Sequence, residues 1–421
     1  MSRAIYVFGN DLRLTDNLDL TRACDGVDQV IPVVIQATVR NTATAADWWR
    51  GQSLKALCDQ FAELGSRLVV TTDEQLDHLA KHLNAAHIYK AQSSNLIHDP
   101  KTILKADGAP YRVFTPFYRQ WRARLDETLS RPLPAPSKLA FAPKSELDEL
   151  CGKLDTPEPH WSHRLFDHWQ GQPGESGAQA QLVTFLDNHI RTYKADRDML
   201  TKTATSQLSA SLRHGDISPR QIIYASHLAA PDDSTNEPFI RQIAWREFAA
   251  YVLHHFPHTA TQSMKPAFEN FPWRDGLEAD HDFDQWCKGQ TGQDLVDAAM
   301  QELWQTGTMH NRARMITASY LTKNLGIAWQ RGAGWFAHTL VDADTANNSL
   351  GWQWVAGCGT DAAPYFRIFN PATQASKFDP DGTYRARWLG PGWQSRSVTP
   401  LVDLRISRAQ ALARYDDMKA A

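Results

Sequence analysis

The stretch LVDADTANNSLGWQW, residues 340–354, sets Asp342 and Asp344 two residues apart, pairs Asn347 with Asn348, and spaces Trp352 and Trp354 by two. The rest of the segment is apolar or small. Carboxylates in such surroundings need a cation or hydrogen-bond donor. Indoles offer broad stacking faces with a single N–H. On a helix the two tryptophans point roughly 200° apart, so one segment can serve two surfaces. A cation is available in MHNRARMITASYL, residues 309–321, where Asn311, Arg314 and Met315 fall at i, i+3 and i+4 and share a face. Arg312 points about 100° away. Such a face suits a polar pocket with an apolar floor; an amphipathic boundary with a salt-bridging arginine is the commoner reading of the motif alone.

In TATSQLSASLRHGDISPRQ, residues 203–221, Thr205, Ser206 and Ser209 stand at the head of a helix. There hydroxyls and free N–H groups either cap the helix or bind an anion such as a phosphate. His254, His255 and His258 hint at a metal, but Pro257 should break the helix that would align them, so no metal site is expected. GCGT at 357–360 lacks the third glycine and preceding strand of a dinucleotide fingerprint. No GxSxG, P-loop or HExxH occurs. A chain without an evident nucleophile or base points to cofactor-borne chemistry. Fifteen tryptophans suit either an indole-rich core or stacking on aromatic ligands, and composition does not separate the two.

The elements that must position these residues form two kinds of pattern. Residues 1–125 read as α/β: AIYVF, VIPVVI, RLVVTT and HIYKA are strand-like, and WWRGQSLKALCDQFAELG has helical periodicity stopped at Gly65. Strands alternating with helices predict a doubly wound parallel sheet. Residues 126–178 are rich in proline, glycine and polar residues and read as a linker. Residues 179–421 carry helical periodicity throughout and predict an all-α domain. A chain of 421 residues, 42% hydrophobic, can bury a sizeable core. No apolar run is long enough for a bilayer and the chain opens on a strand-like run, so the expected compartment is the cytoplasm. Five scattered cysteines suggest neither disulfides nor zinc. A net charge of -3 leaves only a local patch for any nucleic-acid affinity.

In order and spacing, YVFGNDLRLTDN, YRVFTPF, TSQLSASLRHGDISPRQ, WREF, VDAAMQELWQTGTMHNRARMITASYL, LVDADTANNSLGWQWVAGCGTDAAPYFRIFNP and KFDPDGTY resemble the photolyase/cryptochrome family, in particular the bacterial class I cyclobutane pyrimidine dimer (CPD) photolyases. The resemblance implies light-driven repair of UV-damaged DNA, single- or double-stranded, by a cytoplasmic monomer whose helical domain holds FAD. Tyr193 and the run Thr205, Ser206, Gln207, Leu208 and Ser209 would hold the phosphates, with Arg246 against the cofactor. Asn311 would face the flavin N5, Asp342 and Asp344 the ring and ribose edges, and Asn348 the ring, with Arg314 paired to Asp342. Trp352, Trp329 and Trp273 would relay electrons from surface to flavin. Trp245 and Trp354 would stack on a flipped-out dimer, over a floor made by Met315. Arg197, Arg312, Arg367 and Lys377 are candidates for phosphate contacts. In support, residues 365–396 carry five basic against two acidic residues, net +3, although a solvated basic surface would look the same.

Three positions depart from the pattern. Gln242 stands where CPD photolyases place a glutamate that contacts the lesion, and glutamine there is more typical of (6-4) photolyases and animal cryptochromes. Yet Asn311 and Met315 follow the CPD enzymes, so CPD repair with altered efficiency or lesion preference is expected. Only about 20 residues, AQSSNLIHDPKTILKADGAP, separate the HIYK strand from YRVFTPF. The family fits an extra helix and strand there, so an antenna chromophore, folate or deazaflavin, is expected to be absent or weakly bound. Thr308, Gln293 and Asp294 replace a tryptophan, an aromatic residue and a proline, which would loosen the solvent cover near the flavin. The rival to repair is a cryptochrome-like photoreceptor. Against it, the chain stops after one short helix, SRAQALARYDDMKAA, without a long extension.

Overall fold

The computed structural model describes residues 2–36, 43–91, 95–137, 140–156 and 158–420. By contacts it divides into two compact units interleaved along the chain. The first comprises 1–99, 124–191 and 206–240; the second comprises 100–123, 192–205 and 241–421. The partition at 125 and 178 follows composition, whereas this one follows packing. Residues 138, 139 and 157 of the linker lie outside the described residues.

The first unit is built on four strands, β1 (Arg3–Phe8), β2 (Gln29–Ile35), β3 (Val69–Thr71) and β4 (His87–Lys90), all parallel in the order β3-β2-β1-β4. Alternation along β1 separates its two faces. Tyr6 and Phe8 pack with Val30, Val34, Leu54 and Phe61 on one side. Ile5 and Val7 pack with Ile31, Val33, Leu76 and Leu79 on the other. Helices therefore cover both faces, as a parallel sheet requires. One of them, Ala45–Glu63, starts on a capping box between Thr44 and Asp47.

A buried polar clasp holds this unit together. The Arg13 guanidinium donates to Asn95 Oδ1 at 3.1 Å, to the Gly215 carbonyl at 3.0 Å and to the Asp16 carbonyl at 3.0 Å. Ser218 and Arg220 both donate to the Asp16 carboxylate. Tyr6 and Asn17 donate to Asp11, at 2.5 and 2.9 Å. The motif FGNDLRLTDN is thus anchored to the turn around Gly215, some two hundred positions along the chain. A buried network of this kind is stable only when its members find partners.

The second unit is helical. Its core gathers Trp286, Trp329, Trp352, Tyr320 and Tyr365, all at most 3% exposed. The helical periodicity is interrupted after 319: a helix Asn311–Ser319 is followed by a π-helical turn Tyr320–Asn324 and then a helix Trp329–Thr339. The break falls at Gly326, whose φ of 66° no β-carbon residue adopts readily. The Asp233–His255 helix ends two residues before Pro257, as proline dictates. Among the described residues, no helix is long and apolar enough to cross a membrane.

Candidate cofactor and lesion site

The two aspartates of the opening stretch are used differently. Asp342 is a loop residue whose Oδ2 accepts from Arg314 Nη2 at 2.9 Å. Arg314 is braced by donating Nε to the Met309 carbonyl at 2.8 Å. Asp342 Oδ1 is buried and, among the described residues, meets no hydrogen-bond donor. A buried carboxylate oxygen left open in this way calls for a donor from a ligand. Asp344 instead starts the Thr345–Ala356 helix, accepting the Asn347 N–H at 2.8 Å as its N-cap. Asn348, one turn on, donates to the Ala333 carbonyl at 2.9 Å. Asn311 and Met315 meet at 3.8 Å between Nδ2 and Sδ, so the predicted shared face exists.

Two of the three relay candidates are buried and the third is half-buried. Trp352 is 3% exposed and packs edge-on against Phe336 at 5.0 Å. A β-carbon at Gly332 would lie 2.1 Å from its ring, so that glycine permits the indole's position. Trp329 is 1% exposed and donates Nε1–H to Ser263 Oγ at 3.2 Å. Trp273 is half-buried, 4.4 Å from Phe271. Trp354 is half-buried on the face away from Trp352, as the helical spacing predicts.

On the Asp233–His255 helix, Gln242, Trp245 and Arg246 fall at i, i+3 and i+4 and share a face. Trp245 stacks on Phe114 at 3.7 Å with the rings 7° from parallel. Phe114 belongs to YRVFTPF, a motif with no site role assigned above. Gln242 Oε1 accepts from Arg197 Nη2 at 3.1 Å. Arg197 also lies over the Tyr193 ring at 5.4 Å, and Arg312 pairs with Asp198 at 2.8 Å while lying over Phe378. Both arginines expected on phosphates therefore have protein partners. Arg367 and Lys377 are exposed. In the first unit, the helix Ser209–His214 has Leu208 at its N-cap with no side-chain cap, so the hydroxyls before it do not play the capping role. Gln207 there has φ 52°.

Family models described as "FAD binding domain of DNA photolyase" and "DNA photolyase" match residues 239–399 and residues 4–95 and 89–137. A deoxyribodipyrimidine photo-lyase of Agrobacterium fabrum is 39% identical over 91% of this chain and 86% of its own. The Escherichia coli protein of the same name is 32% identical over 99% of both. The chain belongs to the photolyase/cryptochrome family. Among solved structures, a bacterial class III photolyase from Agrobacterium tumefaciens superposes with a TM-score of 0.88 at 34% identity, covering 100% of this chain and 98% of its own. A Synechocystis cryptochrome gives 0.81 at 25% identity, over 98% and 99%. The motif-based likeness to class I enzymes thus extends to an enzyme described as class III.

For a chain of this family the open Asp342 oxygen fits FAD, whose ring N–H can supply the missing donor. The sequence did not single out Lys323, which is fully buried in the π-helical turn. Its ammonium donates to the Ala356 and Tyr365 carbonyls at 3.0 and 3.1 Å and sits 3.3 Å from the Tyr365 ring centre. It ties the end of the tryptophan-bearing helix to the loop that follows. A lysine flanked by Leu321 and Leu325 is the signal that could have marked it.

Burial lowers the Lys323 pKa from 10.5 to about 7. Above pH 7 the unfolded chain holds a proton at this lysine that the native chain has released, so the Lys323 contribution to stability rises with pH in this window. Asp216 and Glu302, pushed up to about 7, titrate through the lower part of the same window with the opposite sign, because the native chain holds protons there that the unfolded chain has released. The ordinary thiol value of 9.0 lies above it. Lys323→Met is therefore expected to lower the pH slope of the urea midpoint between pH 7 and about 8.5 relative to wild type. An equal slope in both proteins would refute the assignment.

Proposed function

We propose that this chain is a light-dependent DNA repair flavoprotein that splits cyclobutane pyrimidine dimers. The observation that carries the reading is the buried Asp342 carboxylate, held by Arg314 with one oxygen open, in a chain whose matched region is the FAD-binding domain of DNA photolyases. Bound reduced FAD supplies, on absorbing light, the electron that opens the dimer's cyclobutane ring. The protein's part is to bind, orient and exclude water. In this reading Asp342, Asp344, Asn311, Arg314, Asn348 and Arg246 hold the ring and ribose, and Tyr193 with Thr205, Ser206, Gln207, Leu208 and Ser209 the phosphates. Residues 179–421 are assigned the cofactor and DNA functions. Trp352 and Trp329, both buried, with the half-buried Trp273, are assigned the electron route from the surface.

The dimer leaves the duplex to lie against Trp245 and Trp354, with Met315 beneath and Gln242 at its carbonyls. Trp245 is braced for this by Phe114, since a ring stacked on one face stays flat to present the other. Arg367 and Lys377, both exposed, are assigned to DNA phosphates. The form acting is a cytoplasmic monomer on damaged DNA, single- or double-stranded. A second chromophore is absent or weakly held: in the shortened segment after β4, the described residues before Phe114 carry a single short 3-10 turn, Pro100–Thr102. Residues 92–94 of that segment lie outside the described residues.

The test is repair of defined CPD and (6-4) oligonucleotides under blue light, with wild type and Gln242→Glu. CPD repair by both proteins is expected, with the CPD rate changed about tenfold or less by the substitution, because an amide retains the donor but cannot deliver a proton. Absence of CPD repair by either protein would sink the reading.

A further inference from the structure

We infer that Asp198 is a built-in competitor for DNA phosphate: it holds Arg312 while no DNA is bound, weakens the grip on damaged and undamaged DNA alike, and retakes the arginine as repaired DNA leaves. The inference rests on the repair reading and extends it to product release.

A single carboxylate faces both of the arginines expected on phosphates. Asp198 Oδ2 lies 2.8 Å from Arg312 Nη2, and its Oδ1 lies 3.9 Å from Arg197 Nε. Contacts run on from each arginine. Arg197 reaches Gln242, read above as a lesion contact, at 3.1 Å. Arg312 lies over the Phe378 ring at 4.5 Å, and the ammonium of Lys377, assigned above to DNA phosphates, lies over the same ring at 5.1 Å. Asp198 therefore belongs to a continuous line of contacts from the lesion end to a phosphate-binding lysine. The chain fixes its place, because the Arg197 N–H donates to the Tyr193 carbonyl at 2.9 Å and the Leu200 N–H to the Phe378 carbonyl at 3.0 Å.

A phosphate can open this pair. The Asp198 side chain is 41% exposed and the Arg312 side chain 18%, and an ion pair reached by water is weak. Carboxylate and phosphate offer a guanidinium the same kind of acceptor, so one can replace the other with little movement of the arginine. Arg312 Nε is buried and meets no hydrogen-bond acceptor among the described residues, so Asp198 leaves part of the fork unused.

The effect on binding follows from the counterions. DNA that takes Arg312 releases a condensed cation, but the carboxylate left behind recruits one from solution, which offsets the release. Phosphates are common to damaged and undamaged DNA, so both are weakened by a similar factor. The benefit comes after the chemistry. Repaired DNA no longer fills the cavity and is held through its phosphates, and a carboxylate that retakes Arg312 hastens its departure.

The experiment is equilibrium and stopped-flow binding of the holoprotein in the dark to one duplex oligonucleotide, with and without a thymine dimer, at several salt concentrations. Asp198→Asn is expected to bind both duplexes about threefold or more tighter at low salt, with a salt slope steeper by about one, and to release the undamaged duplex more slowly by a similar factor. Asp198→Glu keeps the charge and should stay within about twofold of wild type. Arg312→Met should weaken both duplexes, and in that background Asp198→Asn should change affinity by less than about twofold.

A carboxylate that only positions Arg312 predicts the reverse, weaker binding by Asp198→Asn, and that result overturns the inference, as does unchanged binding. A gain of the same size in the Arg312→Met background also overturns it, because it would mark a general effect of net charge. So does an Arg312→Met variant that binds DNA as wild type does. In each of these cases illuminated repair of the thymine dimer by wild type leaves the repair reading standing. No preference for the dimer and no repair by wild type removes that reading, and the inference with it.

Discussion

Gly215→Ala is expected to destabilise the protein by about 3–5 kcal/mol, the range of severe core defects, and to lower its urea midpoint accordingly. Two independent costs combine. The residue has φ 80°, a conformation that costs a residue with a β-carbon about 1–2 kcal/mol. The added carbon would also lie 2.1 Å from the Asn10 carbonyl oxygen and 2.5 Å from Asp11 Cα. Both are backbone atoms, so relief requires moving the chain. That chain is fastened on either side: Arg13 bonds the Gly215 carbonyl, and Asp11 accepts from Tyr6 and Asn17. Displacement would therefore leave buried polar groups without partners. Gly65→Ala isolates the first cost, since Gly65 has φ 71° and nothing within 4 Å of the added carbon. It should destabilise by about 1–2 kcal/mol. If the two variants unfold at the same midpoint, the packing argument is wrong.

Asp342→Ala is expected to cut the flavin retained through purification by about tenfold or more while the chain stays folded. In the native chain the carboxylate does two things: it neutralises Arg314 and offers Oδ1 to a ligand donor. The alanine variant loses the ligand bond and leaves a cation facing the site. Removing one member of a fully buried ion pair costs about 3–5 kcal/mol. Here the Arg314 side chain is 27% exposed, so water offsets part of that cost and the unfolding free energy should fall by only about 1–3 kcal/mol. Asp342→Asn keeps an acceptor and should retain more flavin than alanine. The check is the flavin-to-protein ratio alongside the urea midpoint. Full flavin content in the alanine variant would remove Asp342 from the cofactor site.

Much of the fold is legible in the chain. The β-branched runs at 4–8 and 30–35 appear as buried strands because alternation on a pleated backbone is a local rule. The Asn311/Met315 face and the opposition of Trp352 and Trp354 likewise follow from 3.6 residues per turn. Two helices of the first unit, Leu18–Asp25 and Asp73–His82, were not read, being short and carrying few apolar residues. The π turn Tyr320–Asn324 is not legible either, because apolar periodicity does not register one.

The sequence by itself determined the order of the motifs, the change from strands to helices, and the close spacing of aspartates and indoles in one segment. Only the tertiary structure decided which charge meets which. Nothing local says that Asp342 takes Arg314, that Asp344 turns to its own helix, that Arg197 reaches Gln242, or that Lys323 fills the end of the tryptophan helix. The physical reason is that secondary structure is set by backbone geometry over a few residues, whereas a buried polar group must be satisfied by whatever packing brings beside it. In the opening stretch, spacing made the two aspartates look equivalent, and packing separated an arginine-paired carboxylate with one buried oxygen open from a helix cap.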